Sequence, residues 1–192
     1  ANSAIWLIVG AFLFSRGFIK TGLGKRIAYN LIAAFGSSSL RLAYALALSD
    51  LILAPATPSN TARVGGVIMP ITTSLAKAFG SEPQDGPRKI GSFLMQSIYQ
   101  VNTITSAMFQ TSMAGNTLVA ALALQSFGIG ITWGDWAMAA IVPGIIALIV
   151  MPYFIYKVYP PEIKDAREAQ QMIKEELKGL GKMSFQEWVM QV

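Results

Sequence analysis

Long apolar segments alternate with short polar ones along most of this 192-residue chain. A helix needs about 20 apolar residues to cross the hydrocarbon layer of a membrane, and shorter apolar runs are typical of re-entrant or interfacial segments. By this measure the segment 134–159 predicts a complete transmembrane helix, with Trp and Tyr residues near its ends as interfacial anchors. The segment 1–15 predicts the end of another transmembrane helix.

Residues 16–39 mix Lys and Arg with apolar side chains. This pattern predicts an amphipathic helix that lies in the headgroup plane of the membrane. A solvated connecting helix is the alternative.

Two apolar arms within residues 40–79 flank a break rich in proline, serine, asparagine and threonine. Pro55 and Pro58 stop the first helix. Ser59, Asn60 or Thr61 can then cap the second helix. The simplest interpretation is a re-entrant helical hairpin, which enters and leaves the membrane on the same side. Two full spans joined by a tight turn are the alternative.

Residues 90–127 are apolar for too long to form one straight span, and Gly115-Asn116 interrupts them. They predict a broken transmembrane helix. Residues 160–192 are charged at first and end in what resembles the start of a further helix, so we expect a cytoplasmic linker there and a chain that is a fragment. The predicted fold class is an all-α membrane protein.

The composition and the charge distribution agree with a membrane location. Charged residues make up 13% of the chain, against about 25% in soluble domains. If the first span ends in the cytoplasm, the segments 16–41, 77–89 and 157–182 face the cytoplasm. Of the 15 Lys and Arg residues, 14 lie in these segments or at their borders and only Arg63 does not, as the positive-inside rule predicts. The net charge of +5 is therefore attributed to membrane orientation and not to nucleic-acid binding. The absence of His and Cys excludes imidazole bases and thiol catalysis.

The hairpin tip is the first candidate site. Unwound backbone at membrane depth is tolerated where it is buried in protein or lines a cavity, and broken helices place polar helix ends there. Ser59, Asn60 and Thr61 add neutral donors that suit a carboxylate. An ordinary capped turn is the alternative.

The second candidate site is the break at residues 112–117, which includes Asn116 and Thr117. The helix before this break carries a polar stripe, which lines either a solvent path or a helix–helix contact. Its members are Tyr99, Asn102, Thr103, Ser106 and Gln110.

Apart from Arg41 and Lys77 at its ends, the predicted hairpin carries two charges, Asp50 and Arg63, and charges within a membrane are functional or paired. One hypothesis is that Arg63 supplies positive potential for a dicarboxylate. The alternative is that Arg63 and Asp50 pair with each other.

The stretch APATPSNTARVGGVIMPI at 54–71, followed by TSMAGNTLVAALA, resembles the divalent anion:sodium symporter family. The resemblance is greatest to the branch with plastid 2-oxoglutarate/malate translocators and bacterial citrate and tartrate/succinate antiporters. It implies one of two inverted repeats, with the C-terminal repeat of the same chain as partner, and a homodimer with an elevator-type movement. It also implies that Asn116 and Thr117 of the second break contact the substrate. In the same way, Ser59, Asn60 and Gly115 would match positions that hold sodium in sodium-coupled members.

Two departures from those sodium-coupled members favour exchange of one anion for another. Pro55 stands where some of them have serine, and the second motif reads Gly-Asn-Thr and not Gly-Ser/Thr-Pro-Pro-Asn. We therefore expect a di- or tricarboxylate exchanger with no organic cofactor, in a bacterial inner membrane or an organellar inner membrane. The alternatives are a sodium-coupled dicarboxylate or sulfate symporter and a channel or structural subunit. An enzyme is disfavoured because no acid/base pair is found.

Overall fold

A computed structural model describes residues 20–185 together with residues 9, 10, 13, 16, 17 and 187. Within these residues the chain is helical and has no strand, apart from an isolated bridge between Ser38 and Asp165. The predicted all-α class is confirmed for this part of the chain. Most of the predicted helix end at 1–15, residues 18 and 19 of the 16–39 segment and most of the predicted helix start near the C-terminus lie outside the described residues.

The helices follow the chain as α1 (Leu23–Phe35), α2 (Ser39–Leu53), α3 (Asn60–Arg63), α4 (Met69–Ala78), α5 (Gly91–Met108), α6 (Ala114–Phe127), α7 (Trp133–Val158) and α8 (Arg167–Gly179). A π-helical turn, Val64–Ile68, makes 60–78 one continuous arm, and a 3₁₀ turn, Gln110–Ser112, lies between α5 and α6.

The helix α1 packs between α2 and α8, with its apolar face in the main hydrophobic core. Its polar face also contacts α8, because the Tyr29 hydroxyl donates to Glu176 and Lys25 lies 3.8 Å from the same carboxylate. The Gln170 amide donates to the Ala33 carbonyl oxygen at 2.8 Å. The segment predicted to lie in the headgroup plane is thus covered by the charged helix that follows α7.

The first break in the helical chain lies at 54–59, where two prolines follow α2. The Ser59 hydroxyl accepts a hydrogen bond from the Ala62 N–H at 3.2 Å, so Ser59 is the N-cap of the next arm, as predicted. Further along this arm, the Met69 N–H bonds to the Val64 carbonyl in a wide π turn. Because Pro70 has no N–H and its ring clashes with the preceding turn of an α-helix, a wide turn before it lets the arm continue.

The helices α5 and α7 pack against each other in opposite directions. Near one end Phe93 and Tyr156 form an edge-to-face pair with ring centroids 5.7 Å apart, and near the other end Met108 covers Gly144. With 26 residues, α7 is the one helix of the described part that is long and apolar enough to cross a membrane. Few of its side chains are buried within the chain.

Backbone hydrogen bonds join the segment after α7 to the start of α2 and to the loop before α5. The Ser39 N–H donates to the Lys164 carbonyl at 3.0 Å, at the start of α2. The Ile163 N–H donates to the Lys89 carbonyl at 2.9 Å, in the loop before α5. The ends of three helical segments therefore meet here.

The contact between Gly144 and Met108 gives a test of the α5–α7 packing. A Cβ at Gly144 would lie 2.6 Å from Met108 Cγ, so we expect Gly144→Ala to cost about 1–3 kcal/mol of stability. Gly134→Ala in the same helix is the matched control, because its Cβ would meet nothing closer than 3.7 Å. Equal thermal unfolding midpoints for the two variants in detergent would contradict this packing.

The Arg26–Glu187 pair gives a pH-dependent test. Arg26 Nε lies 2.8 Å from Glu187, and this contact, together with the Ser184 N–H, lowers the pKa of Glu187 from 4.5 to about 2. A carboxylate with a lowered pKa stabilises the fold above its ordinary pKa and loses that contribution as the pH falls. We expect Glu187→Gln to lower the unfolding midpoint at neutral pH, by an amount that shrinks between pH 4.5 and about pH 2. Glu175→Gln, at an exposed position of α8, is the control, and a pH-independent difference for Glu187→Gln would refute the pairing.

Candidate functional site

The hairpin tip, residues 57–61, keeps several donors for a ligand. The Asn60 side-chain oxygen accepts from the Thr61 N–H at 2.8 Å and from the Thr61 hydroxyl at 3.4 Å. The Asn60 amide NH₂ has no partner among the described residues. Thr61 is exposed, and Ser59 and Asn60 are half-buried. The tip therefore presents neutral donors at the start of a helical arm, where the helix dipole also favours an anion.

The second break lies a few residues earlier than the sequence predicted. The helix α5 ends at Met108, and Phe109 and Met113 are extended, with φ of −126° and −149°. Gly115 and Asn116, which were predicted to interrupt the helix, instead form the first turn of α6.

Side chains of α6 and the 3₁₀ turn satisfy the carbonyl groups that this break releases. The buried Asn116 amide donates to the carbonyl oxygens of Ser106 and Phe109, at 2.7 and 2.9 Å. The Ser112 hydroxyl lies 2.5 Å from the same Ser106 oxygen. The Thr117 hydroxyl donates to the Gln110 carbonyl at 3.3 Å. The donors of Asn116 and Thr117 are thus turned into the break itself.

The two breaks are in direct contact. The Thr111 hydroxyl donates to the Pro55 carbonyl oxygen at 2.7 Å. Arg63 Nη1 donates to the Ser112 carbonyl in one break and to the Thr57 carbonyl in the other, both at 3.2 Å. The structure therefore brings the two predicted candidate sites together, although neither of these bridges involves the predicted donors of the tip.

Arg63 and Asp50 form a buried ion pair, with Arg63 Nε 2.8 Å from Asp50 Oδ1. Their side chains are 0% and 1% exposed. The Thr105 hydroxyl donates to the second oxygen of Asp50, and Asn102 lies 3.4 Å from it. The pairing alternative is the one that the structure shows, and a direct contact of Arg63 with a substrate carboxylate is not what this geometry supports.

The predicted polar stripe of α5 has an inner and an outer edge. At the inner edge Asn102 and Ser106 contact the ion pair, where the Ser106 hydroxyl accepts from Arg63 Nη2 at 3.1 Å. At the outer edge Tyr99 and Thr103 are exposed. One half of the stripe is helix packing, and the other half remains available for a solvent path.

Two tryptophans at the start of α7 contact the second break and the end of α5. The indole N–H of Trp133 donates to the Thr111 hydroxyl at 3.0 Å, and that of Trp136 donates to the Ala107 carbonyl at 2.9 Å. Trp133 also stacks on Phe109, with ring centroids 5.8 Å apart. The sequence predicts Trp residues near the ends of this helix as interfacial anchors. In the structure the indole N–H groups of both tryptophans are hydrogen-bonded to the chain itself.

Sequence reasoning missed Thr57, Thr105 and Thr111 as parts of this arrangement. Thr105 lies one position before Ser106 of the polar stripe, and this adjacency is the sequence feature that could have identified it. As for cations, the described residues contain no cluster of three or more carboxylate, His or Cys groups that could hold a metal ion.

A comparison with sequence families matches all of residues 1–192 to the family described as "Sodium:sulfate symporter transmembrane region". Among curated relatives, YflS of Bacillus subtilis (strain 168), whose name proposes malate transport, is 56% identical over 94% of this chain and 38% of its own length. "Dicarboxylate transporter 1, chloroplastic" of Spinacia oleracea is 51% identical over 97% of this chain and 33% of its own length.

A third relative, the "L-tartrate/succinate antiporter" of Escherichia coli (strain UTI89 / UPEC), is 39% identical over 97% of this chain and 39% of its own length. The chain thus spans between a third and two fifths of the length of these relatives.

Asn116 gives a test of how the second break is held. We expect Asn116→Ala to lower stability by about 1–3 kcal/mol, because the buried Ser106 and Phe109 carbonyls lose their amide donor. Asn30→Ala removes an amide that donates to the Arg26 carbonyl on the surface, and we expect a loss of less than about 0.5 kcal/mol there. Thermal unfolding of the two variants in detergent makes the comparison, and an equal loss would argue against this role of Asn116.

Proposed function

Because the chain belongs to the sodium:sulfate symporter family of transmembrane proteins, we propose that it forms part of a secondary transporter of di- and tricarboxylates that exchanges one anion for another. The contact between the two helix breaks carries this proposal. It brings two stretches of irregular backbone together beside a tip with free neutral donors. No covalent step and no organic cofactor are part of the proposed mechanism.

The chemistry of the tip suits an anion that must be released again. Amide and hydroxyl donors at a helix start bind a carboxylate through hydrogen bonds and the helix dipole. The charge nearest to the tip, Arg63, is compensated by Asp50. We propose that Ser59, Asn60 and Thr61 bind one carboxylate group. Asn116 and Thr117, placed in the substrate site from sequence, shape the second break in this proposal.

The proposed membrane arrangement is a re-entrant hairpin from 40–79 followed by a broken helix from 90–127. The segment after α7 bonds both to the start of α2 and to the loop before α5. This clustering supports a topology in which both arms of the hairpin and the end of α7 meet on one side of the membrane. The basic residues of these connections make that side cytoplasmic.

The rest of the assembly is proposed from the family resemblance and from the relatives. Because the chain spans little more than a third of their length, we propose a second, inverted repeat in the same protein and a homodimer. One relative is named "Inner membrane protein YbhI", from Escherichia coli (strain K12), and another is named as chloroplastic. We therefore propose a bacterial inner membrane, with an organellar inner membrane as the second choice.

Sodium-coupled transport of a dicarboxylate or sulfate is the second candidate, and the description of the family favours it. In that case Ser59, Asn60 and Gly115 would hold the sodium ion. Exchange is preferred because Pro55 has no side-chain hydroxyl and its carbonyl oxygen already accepts from Thr111.

Counterflow in proteoliposomes tests the proposed function. The full-length protein is reconstituted with internal malate or succinate, and uptake of labelled 2-oxoglutarate, citrate or succinate is followed with and without a sodium gradient. We expect uptake that saturates and requires internal dicarboxylate but not sodium. Uptake into empty vesicles that requires external sodium would establish the symporter, and uptake that does not saturate would establish a channel.

The tip is tested by Asn60→Ala in the same assay. We expect the KM for the labelled anion to rise at least tenfold, as expected when about 1.4 kcal/mol of binding is lost with the amide donor. Asn30→Ala is the matched control, since its amide bonds only within α1. An unchanged KM for Asn60→Ala would remove the tip from the substrate site.

A further inference from the structure

We propose that Arg63 is a positioning residue that joins the two helix breaks into one rigid unit and does not contact the transported anion. The inference rests on the proposed function, because it concerns how the carboxylate site of that transporter is held in shape. Of the Lys and Arg residues, only Arg63 lies away from the segments expected to face the cytoplasm, and the inference gives it a role different from binding the anion.

The guanidinium of Arg63 has no donor left for an anion. Arginine carries five N–H groups in a planar fork. The side chain makes five contacts, in which Nε bonds to Asp50, Nη1 to the carbonyls of Thr57 and Ser112, and Nη2 to the hydroxyls of Thr105 and Ser106. With 0% exposure, the group is sealed from solvent and from any ligand in the open tip.

The contacts of Arg63 come from four separate parts of the fold. Asp50 belongs to α2, Thr57 to the first break, Thr105 and Ser106 to α5, and Ser112 to the second break. Arg63 itself lies in α3, three residues after Asn60. A single side chain next to the tip therefore connects α2, α5 and both breaks.

The geometry of the fork explains why lysine cannot replace this residue. A lysine ammonium is a compact point charge on a flexible chain, whereas the guanidinium presents donors in fixed directions. Lysine would keep the charge opposite Asp50 but cannot reach both the Thr57 and the Ser112 carbonyls. Arg63→Lys thus preserves the ion pair and removes the connection between the breaks.

Thr105→Val is the complementary variant. It keeps the size of the side chain and changes no charge, but it removes the hydroxyl that contacts both Arg63 and Asp50. Because this hydroxyl is buried on α5, a loss of affinity must be transmitted through Arg63 or Asp50. Arg41→Lys is the matched control, since Arg41 is exposed and its guanidinium bonds to the Ser37 hydroxyl away from both breaks.

The experiment has two measurements on the full-length protein. Counterflow gives KM and the maximum rate for each variant. Dipolar broadening between nitroxide labels at Ala56→Cys and Ala114→Cys gives the spread of distances between the breaks, with any other cysteine of the protein replaced. The second measurement is made without substrate, so it decides the positioning role even if the protein transports none of the tested anions.

We expect KM to rise at least tenfold in Arg63→Lys and about threefold in Thr105→Val, with maximum rates within about twofold of the parent. We also expect a narrow label distribution in the parent and in Arg41→Lys that broadens in Arg63→Lys. Equal distributions in all three proteins would overturn the proposal. A raised KM in Arg63→Lys with an unchanged KM in Thr105→Val would also overturn it and make Arg63 a direct ligand.

Discussion

The structure depends on the requirement that backbone groups released at the two helix breaks find partners within the protein. In a membrane no water is available to satisfy them, and each unpaired group costs several kcal/mol. The Asn116 amide serves two carbonyls of the second break. Thr111, within that break, serves the Pro55 carbonyl of the first. Because a side chain of one break satisfies a backbone carbonyl of the other, each break depends on the other for its hydrogen bonds.

The buried Arg63–Asp50 pair is the centre of this arrangement. Removing two charges from water is expensive, and the cost is offset only where the geometry is good and the remaining donors and acceptors are satisfied. Here the Arg63 fork is saturated, and Asp50 also accepts from Thr105. Such a pair contributes little net stability compared with an apolar core. Its value lies in fixing the positions of the elements that supply its partners.

Much of this fold follows from local sequence signals, whereas the contact between the two helix breaks does not. Two prolines and a following Ser-Asn-Thr locate the first break and its cap, and the length of the apolar segment predicts α7. The sequence predicts the second break a few residues too far along the chain. The reason is that α5 ends at Met108 without a proline or glycine, and its last carbonyl groups are satisfied by side chains further along the chain. The contact of Thr111 with Pro55 joins residues 56 positions apart, which no local pattern reports. The contact of Asn102 with Asp50, which shows that one edge of the α5 stripe packs against the ion pair, likewise joins residues far apart in the sequence.

The charged residues Arg63 and Asp50 lie behind the tip, whereas the tip itself carries neutral hydrogen-bond donors. This separation suits a transporter for the following reason. A free guanidinium in a dry site would hold an anion strongly, and a transporter must let its substrate go on the other side. Arg63 is paired with Asp50 and bonded to the carbonyls of the breaks, so the ion pair behind Asn60 and Thr61 carries no net charge. In the proposed site, binding depends on hydrogen bonds, whose strength changes with small displacements of the donors. A site of neutral donors therefore needs a rigid frame more than a charged site does, and the saturated guanidinium behind the tip supplies it.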